Sequence, residues 1–214
     1  MNDGVLSLVI QWCLLCLVWM GSLDQPLRRI SLSRKQMLAI VTAILLCSMV
    51  SWRLYFLPIS VNISGALLPL LAAGWLYYLL PERRRRYLLV ASCFIAMLLY
   101  FLRKLLFGDP VLLLLEEVVM VPVAVNAIAL VMTRNSLYQL FLVMLAMPLS
   151  DAFYTLSFLG RGENPEIGGG YAQDLLWSSL VFWAAAALSW STVRRMMRFV
   201  QEKLAIGNWL RKRG

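Results

Sequence analysis

Two adjacent carboxylates, Glu116 and Glu117, interrupt the apolar run Val111 to Met132, which also carries Pro122 and Asn126. The run is long enough to cross a bilayer, and an ionisable side chain held there is costly and marks a functional position. The other polar residues inside apolar runs are Arg53, Asn62 and Asp151. Carboxylates balanced by one arginine in a low dielectric can hold a cation, a proton or a small cationic solute; equally, they can pair and lock helices together. The chain contains no histidine, which removes Ser-His nucleophiles, the His-Glu-x-x-His zinc site and histidine general bases.

Composition indicates what must position these groups. Of 214 residues 61% are hydrophobic and 14% charged, with mean hydropathy +0.75, too apolar for a soluble domain that must present a charged surface. The expected fold class is an all-α polytopic transmembrane helical bundle. Apolar runs place seven spans at about 4–23, 37–57, 59–80, 87–102, 111–132, 137–159 and 174–193, one domain over 1–193. The short turn at Pro58 makes the second and third spans an antiparallel helical hairpin. The fourth span is the shortest. Residues 194–214 alternate basic and apolar positions, as in a helix lying on a membrane surface.

Charge orients the bundle. With the N-terminus outside and the C-terminus cytoplasmic, about sixteen of the twenty Lys and Arg fall inside, about three outside, and Arg53 lies in a span. The net charge of +9 therefore reports orientation and contact with anionic head groups, and nucleic acid is not an expected partner. The tail residues Arg194, Arg195, Arg198, Lys203, Arg211, Lys212 and Arg213 are the expected lipid contacts, with a protein partner as the alternative. Cys13, Cys16, Cys47 and Cys93 all lie in apolar segments, so Cys13-Leu14-Leu15-Cys16 reads as packing and not as a redox motif.

The spans bring the polar residues to similar depth. At 1.5 Å per residue Arg53 lies about 6 Å below the outer end of its span, Glu116 and Glu117 about 8 Å, and Asp151 about 12 Å. Asn62 starts the third span, with Gly65, Ala66, Pro69 and Ala73 forming a small-residue stripe where another backbone can approach. Helical angles put Asn126 about 80° from Glu116 but about 180° from Glu117, which selects Glu116. Glu117 would then reach Arg103 or Lys104 at the head groups. Asp151, Tyr154 and Thr155 share a face of the sixth span. Arg53, Glu116 and Asp151 are the expected core of an outward polar site, flanked by Asn62, Glu117, Asn126 and Tyr154. The 14-residue loop RGENPEIGGGYAQD reads as a flexible external loop.

Enzyme templates do not fit. Glu116-Glu117 begins the Glu-Glu-x-x-x-Arg pattern of membrane-embedded proteases, but Val121 stands at the Arg position. Phe107-Gly108-Asp109 lacks the Gly-x-Gly-Asp pattern of intramembrane aspartyl proteases, and the seventh span has no Lys for a retinal Schiff base. No enzyme, metal or cofactor is expected, although a carboxylate pair leaves acid–base chemistry open.

The order of spans, the segment Ser60-VNISGALLP-Leu70, the Glu-bearing fifth span and MLAMPLSDAFYTL in the sixth together resemble the YphA family of membrane proteins from spore-forming Gram-positive bacteria. VNISGALLP is also similar to an Asn-x-Gly-Gly-Ala-x-x-Pro motif of other membrane proteins, with Ser64 replacing a Gly. The resemblance implies an integral plasma-membrane protein and carries over no catalytic residue. Two functions stay open: a small transporter or solute-binding protein, and a non-catalytic scaffold or assembly factor whose polar cluster is structural.

Overall fold

The computed structural model describes residues 3–21, 33–50, 52–56, 58–108, 116–159 and 165–189. Most apolar runs form helices: α1 Val5–Trp19, α2 Arg34–Val50, α3 Leu68–Leu79, α4 Glu82–Gly108, α5 Glu117–Met132, α6 Ser136–Leu156 and α7 over residues 170–189. Of these, α4 and α6 are long and apolar enough to cross a membrane, while α1 and α5 are shorter apolar helices. The tail 194–214 and its seven basic residues lie outside the described residues.

The fourth apolar run differs most from expectation. Instead of ending at Leu102 as the shortest span, its helix continues to Gly108 and is the longest among the described residues, 27 residues or about 40 Å. The buried stripe explains why: Leu88, Ile95, Leu99, Arg103 and Leu106 follow one another at three- to seven-residue steps on one face. Arg103 keeps that phase, so the helix carries it into the interior instead of releasing it to the head groups.

A second correction concerns the turn between the second and third runs, where the sequence predicts an all-helical hairpin. A β-hairpin stands there: β1 Arg53–Phe56 pairs antiparallel with β2 Ile59–Asn62, with Arg53 opposite Asn62. Pro58 removes an amide donor and biases the residue before it toward extended backbone, which breaks a helix. Ile59, Val61 and Ile63 alternate with Ser60 and Asn62, a strand period. A π-helical turn, Ile63–Leu67, then leads into α3, which has Pro69 in its first turn. β3, Glu166–Ile167, adds in parallel to β2, giving the sheet order β1-β2-β3.

The segment expected to be a flexible loop is therefore built in, at least from Pro165 onward. Ser60 N donates to Pro165 O at 3.0 Å, and Ser60 and Val61 pair with Glu166 and Ile167. The core lies between α4, α5 and α6, where Ile95, Leu99, Val121, Val125, Phe141 and Leu142 are fully or almost fully buried. Cys13, Cys16 and Cys93 are exposed on helix surfaces and Cys47 is half-buried, so the thiols do not fill the core as expected.

Candidate functional site

Polar side chains gather at one end of the bundle, where α1, α5 and α7 begin and α2, α4 and α6 end. They form two separate groups. The first centres on Arg103, whose side chain is 4% exposed. Its Nε donates to Glu117 Oε1 at 2.7 Å and its Nη1 to Asp151 Oδ1 at 3.1 Å. The guanidinium lies 4.1 Å from the centroid of the Tyr154 ring. Asp151 uses its second oxygen, Oδ2, to accept Gly168 N at 2.8 Å. The Tyr171 ring also faces the guanidinium, which lies 5.9 Å from the ring centroid.

A buried cation is tolerable only when its donors are matched by charge and geometry. Two carboxylates and an aromatic face meet that condition here. The arrangement ties α4, α5 and α6 together and anchors the loop before α7 through Gly168. It is a lock, and its charges face one another.

The same loop is fitted closely onto the turn before α3. Gly168 has φ +75°, and a Cβ there would lie 2.6 Å from Ala66 N; a Cβ on Gly65 would collide with the Gly168 carbonyl. This is the close backbone approach that the stripe of Gly65 and Ala66 accommodates.

The second group opens beside the hairpin. A cleft of about 360 Å³ is lined by Asp3, Ser48, Arg53, Asn62, Glu166 and Gln173, with Val5, Leu8 and Met49 as apolar lining. Arg53 Nε lies 3.1 Å from Glu166 Oε1, with side chains 45% and 23% exposed. Asn62 Nδ2 donates to the same oxygen at 3.3 Å. Asn62 Oδ1 accepts Ser64 N at 3.0 Å and Ser64 Oγ at 2.8 Å, which fixes the amide. Ser48 Oγ donates to Gln173 Oε1 at 2.7 Å, joining the end of α2 to α7. Asp174 sits behind this wall: its Oδ2 accepts Gly4 N at 2.8 Å and its Oδ1 accepts Ser7 N at 2.6 Å, an N-cap for α1 supplied from another helix.

The expected core of Arg53, Glu116 and Asp151 is thus divided. Arg53 and Asn62 line the cleft; Glu117, Asp151 and Tyr154 surround Arg103. Glu116 belongs to neither group. It is the N-cap of α5 with ψ 138°, exposed, and among the described residues contributes only its carbonyl, to Val119 N and Met120 N. The angular comparison with Asn126 fails because α5 begins at Glu117, so Glu116 lies outside its helical period. Asn126 points elsewhere again, donating to Ser179 O at 2.9 Å and Pro122 O at 2.8 Å as a link between α5 and α7.

Sequence reasoning named Arg103 as one of two partners for Glu117 but placed the pair at the head groups and not in the interior; it missed Glu166, Gln173 and Asp174. The burial of Arg103 was detectable by continuing the apolar period of α4 past Leu102. Asp174 four residues before Ser178 on one apolar helix was a weaker signal. Glu166 had none, since its partners Arg53 and Asn62 are more than a hundred residues away.

A family model described as YphA-like integral membrane protein matches residues 3–209 of the chain. No curated protein and no solved structure matches it.

Proposed function

The chain belongs to the family of YphA-like integral membrane proteins, and from that premise we propose that it binds a small solute bearing a positive charge in the cleft beside the hairpin. The carrying observation is the cleft itself, where Arg53, Glu166 and Asp3 face a common space lined also by amides and a hydroxyl. Two carboxylates against one guanidinium leave a net charge of about −1 near neutral pH. A cation or a zwitterion with an ammonium group complements that balance, with Arg53 able to receive an anionic end.

In this proposal the protein is a solute-binding or transport protein of the bacterial plasma membrane, crossing it several times, with the cleft facing outward and the basic tail on anionic lipid. It is not an enzyme: acid–base chemistry needs a group held against a reacting atom, and the paired Arg103 cluster offers none free. The pairing of Arg103 favours a structural role for that cluster, in keeping with the scaffold reading for this part of the molecule alone.

Thermal unfolding of the purified protein in detergent with sodium, tetramethylammonium, glycine and glycine betaine tests the proposal. A ligand of the native state raises Tm with concentration. The expected result is stabilisation by at least one ammonium solute, with affinity reduced about tenfold or more, roughly 1.4 kcal/mol, by Glu166→Gln or Asp3→Asn. Equal responses of wild type and both variants to every solute would remove the cleft as the site and leave the scaffold.

A further inference from the structure

α1 buries only a narrow stripe, Ser7, Gln11 and Val18, and two of those three residues are polar. Gln11 is 0% exposed, and among the described residues neither its Nε2 nor its Oε1 has a hydrogen-bond partner. Ser178 Oγ on α7 is buried and equally unpartnered. These are three of the four such atoms among the described residues, the fourth being Trp183 Nε1. Unpaired buried amides and hydroxyls are strongly disfavoured, and more so at membrane depth.

Their positions are related. Asp174 on α7 holds Gly4 N and Ser7 N of α1, so the two helices begin side by side. Gln11 lies four residues beyond Ser7 and Ser178 four beyond Asp174, the next turn of each helix on the same face. Gly4 and Leu8 of α1 line the cleft, as do Gly170 and Gln173 of α7. The unpartnered atoms therefore lie one helical turn beyond Ser7 and Asp174, with Gln11 about 10 Å along α1 from Gly4.

We propose that Gln11 and Ser178 form an internal hydration site, a water-filled extension of the cleft between α1 and α7. The unpaired atoms comprise a donor, an acceptor and a hydroxyl that can be either. Water satisfies all three, being small and both donor and acceptor, and a buried water requires two to four such partners. The extension does not depend on a solute occupying the cleft above it. It gives α1 a polar step about one-third of the way across a hydrocarbon core of about 30 Å.

Silver-ion reactivity tests this in vesicles, using a chain in which Cys13, Cys16, Cys47 and Cys93 are replaced by Ala. Ser178→Cys is compared with Ser48→Cys in the cleft and with Ser92→Cys, whose serine is fully buried on α4. The adduct is read by intact mass. The Ser178→Cys chain should react at a rate approaching that of Ser48→Cys and at least about tenfold faster than Ser92→Cys, since only hydrated thiols meet the ion. A rate equal to that of Ser92→Cys would overturn the proposal. Should Ser178→Cys not fold, X-ray radiolysis of the unsubstituted protein decides: hydroxyl radicals formed at bound water should oxidise Leu14 and Leu15, a turn below Gln11, several-fold above Ile95 and Leu99. Equal oxidation at the two pairs would mean a dry seam.

Discussion

Among the described residues, two arginine–carboxylate sites stand at the same end of the bundle, and they differ in nearly everything except composition. Arg103 is buried and meets Glu117 and Asp151 from two other helices, with Tyr154 against its guanidinium. Arg53 projects from an edge strand, meets Glu166 from β3, and stays nearly half exposed. Where the guanidinium is held by two carboxylates and an aromatic face within the protein, the charges serve cohesion. Where the pair is open to a cleft that also holds Asp3 and two amides, they are available to something else. The same residue types thus divide between structure and recognition according to solvent access, since screening leaves an exposed pair little energetic worth.

The largest test of this contrast is Arg103→Met, which leaves Glu117 and Asp151 facing each other without a cation. A loss of about 3–5 kcal/mol is expected, visible as a large fall in Tm in detergent. Little change would mean that the cluster is hydrated and not a lock.

Next is Gly168→Ala. The left-handed φ and the short approach to Ala66 should cost about 1–3 kcal/mol, and because Gly168 N is held by Asp151, the loss should also loosen the cleft wall. Hydrogen exchange over residues 165–173 measures it, with faster exchange expected there than in α4. If protection of that segment is unchanged, the two sites are mechanically independent.

Arg53→Gln should behave in the opposite way to Arg103→Met. Stability changes by about 1 kcal/mol or less, as for exposed pairs generally, while stabilisation by a zwitterion such as glycine betaine declines. A Tm loss as large as that of Arg103→Met would erase the distinction between the sites. The smallest effect belongs to Glu116→Gln, expected within about 0.5 kcal/mol of wild type and without influence on solute response. A solute effect there would restore Glu116 to the site.

Part of this was legible in the residues themselves. The helical character of most apolar runs, the close packing at Gly65 and Ala66, and the shared face of Asp151 and Tyr154 follow from local spacing. The hairpin was legible too, in Pro58 and the alternation through Ile59 to Ile63, but the surrounding apolar residues mask a strand period four residues long. Choosing Glu116 over Glu117 failed for a different reason. Helical phase can be compared only among residues inside one helix, and the position of its first residue was not evident from composition.

Hydropathy is a sum over neighbours, so the sequence by itself determined membership in a membrane-protein class and the approximate position of each apolar helix. Which carboxylate meets which arginine depends on groups brought together across the chain. Arg103 and Asp151 are 48 residues apart, and Asn62 and Glu166 are 104. Those pairings, and with them the division between a closed lock and an open cleft, were decided only by tertiary structure, because an ion pair forms over a few ångströms whatever the separation along the chain.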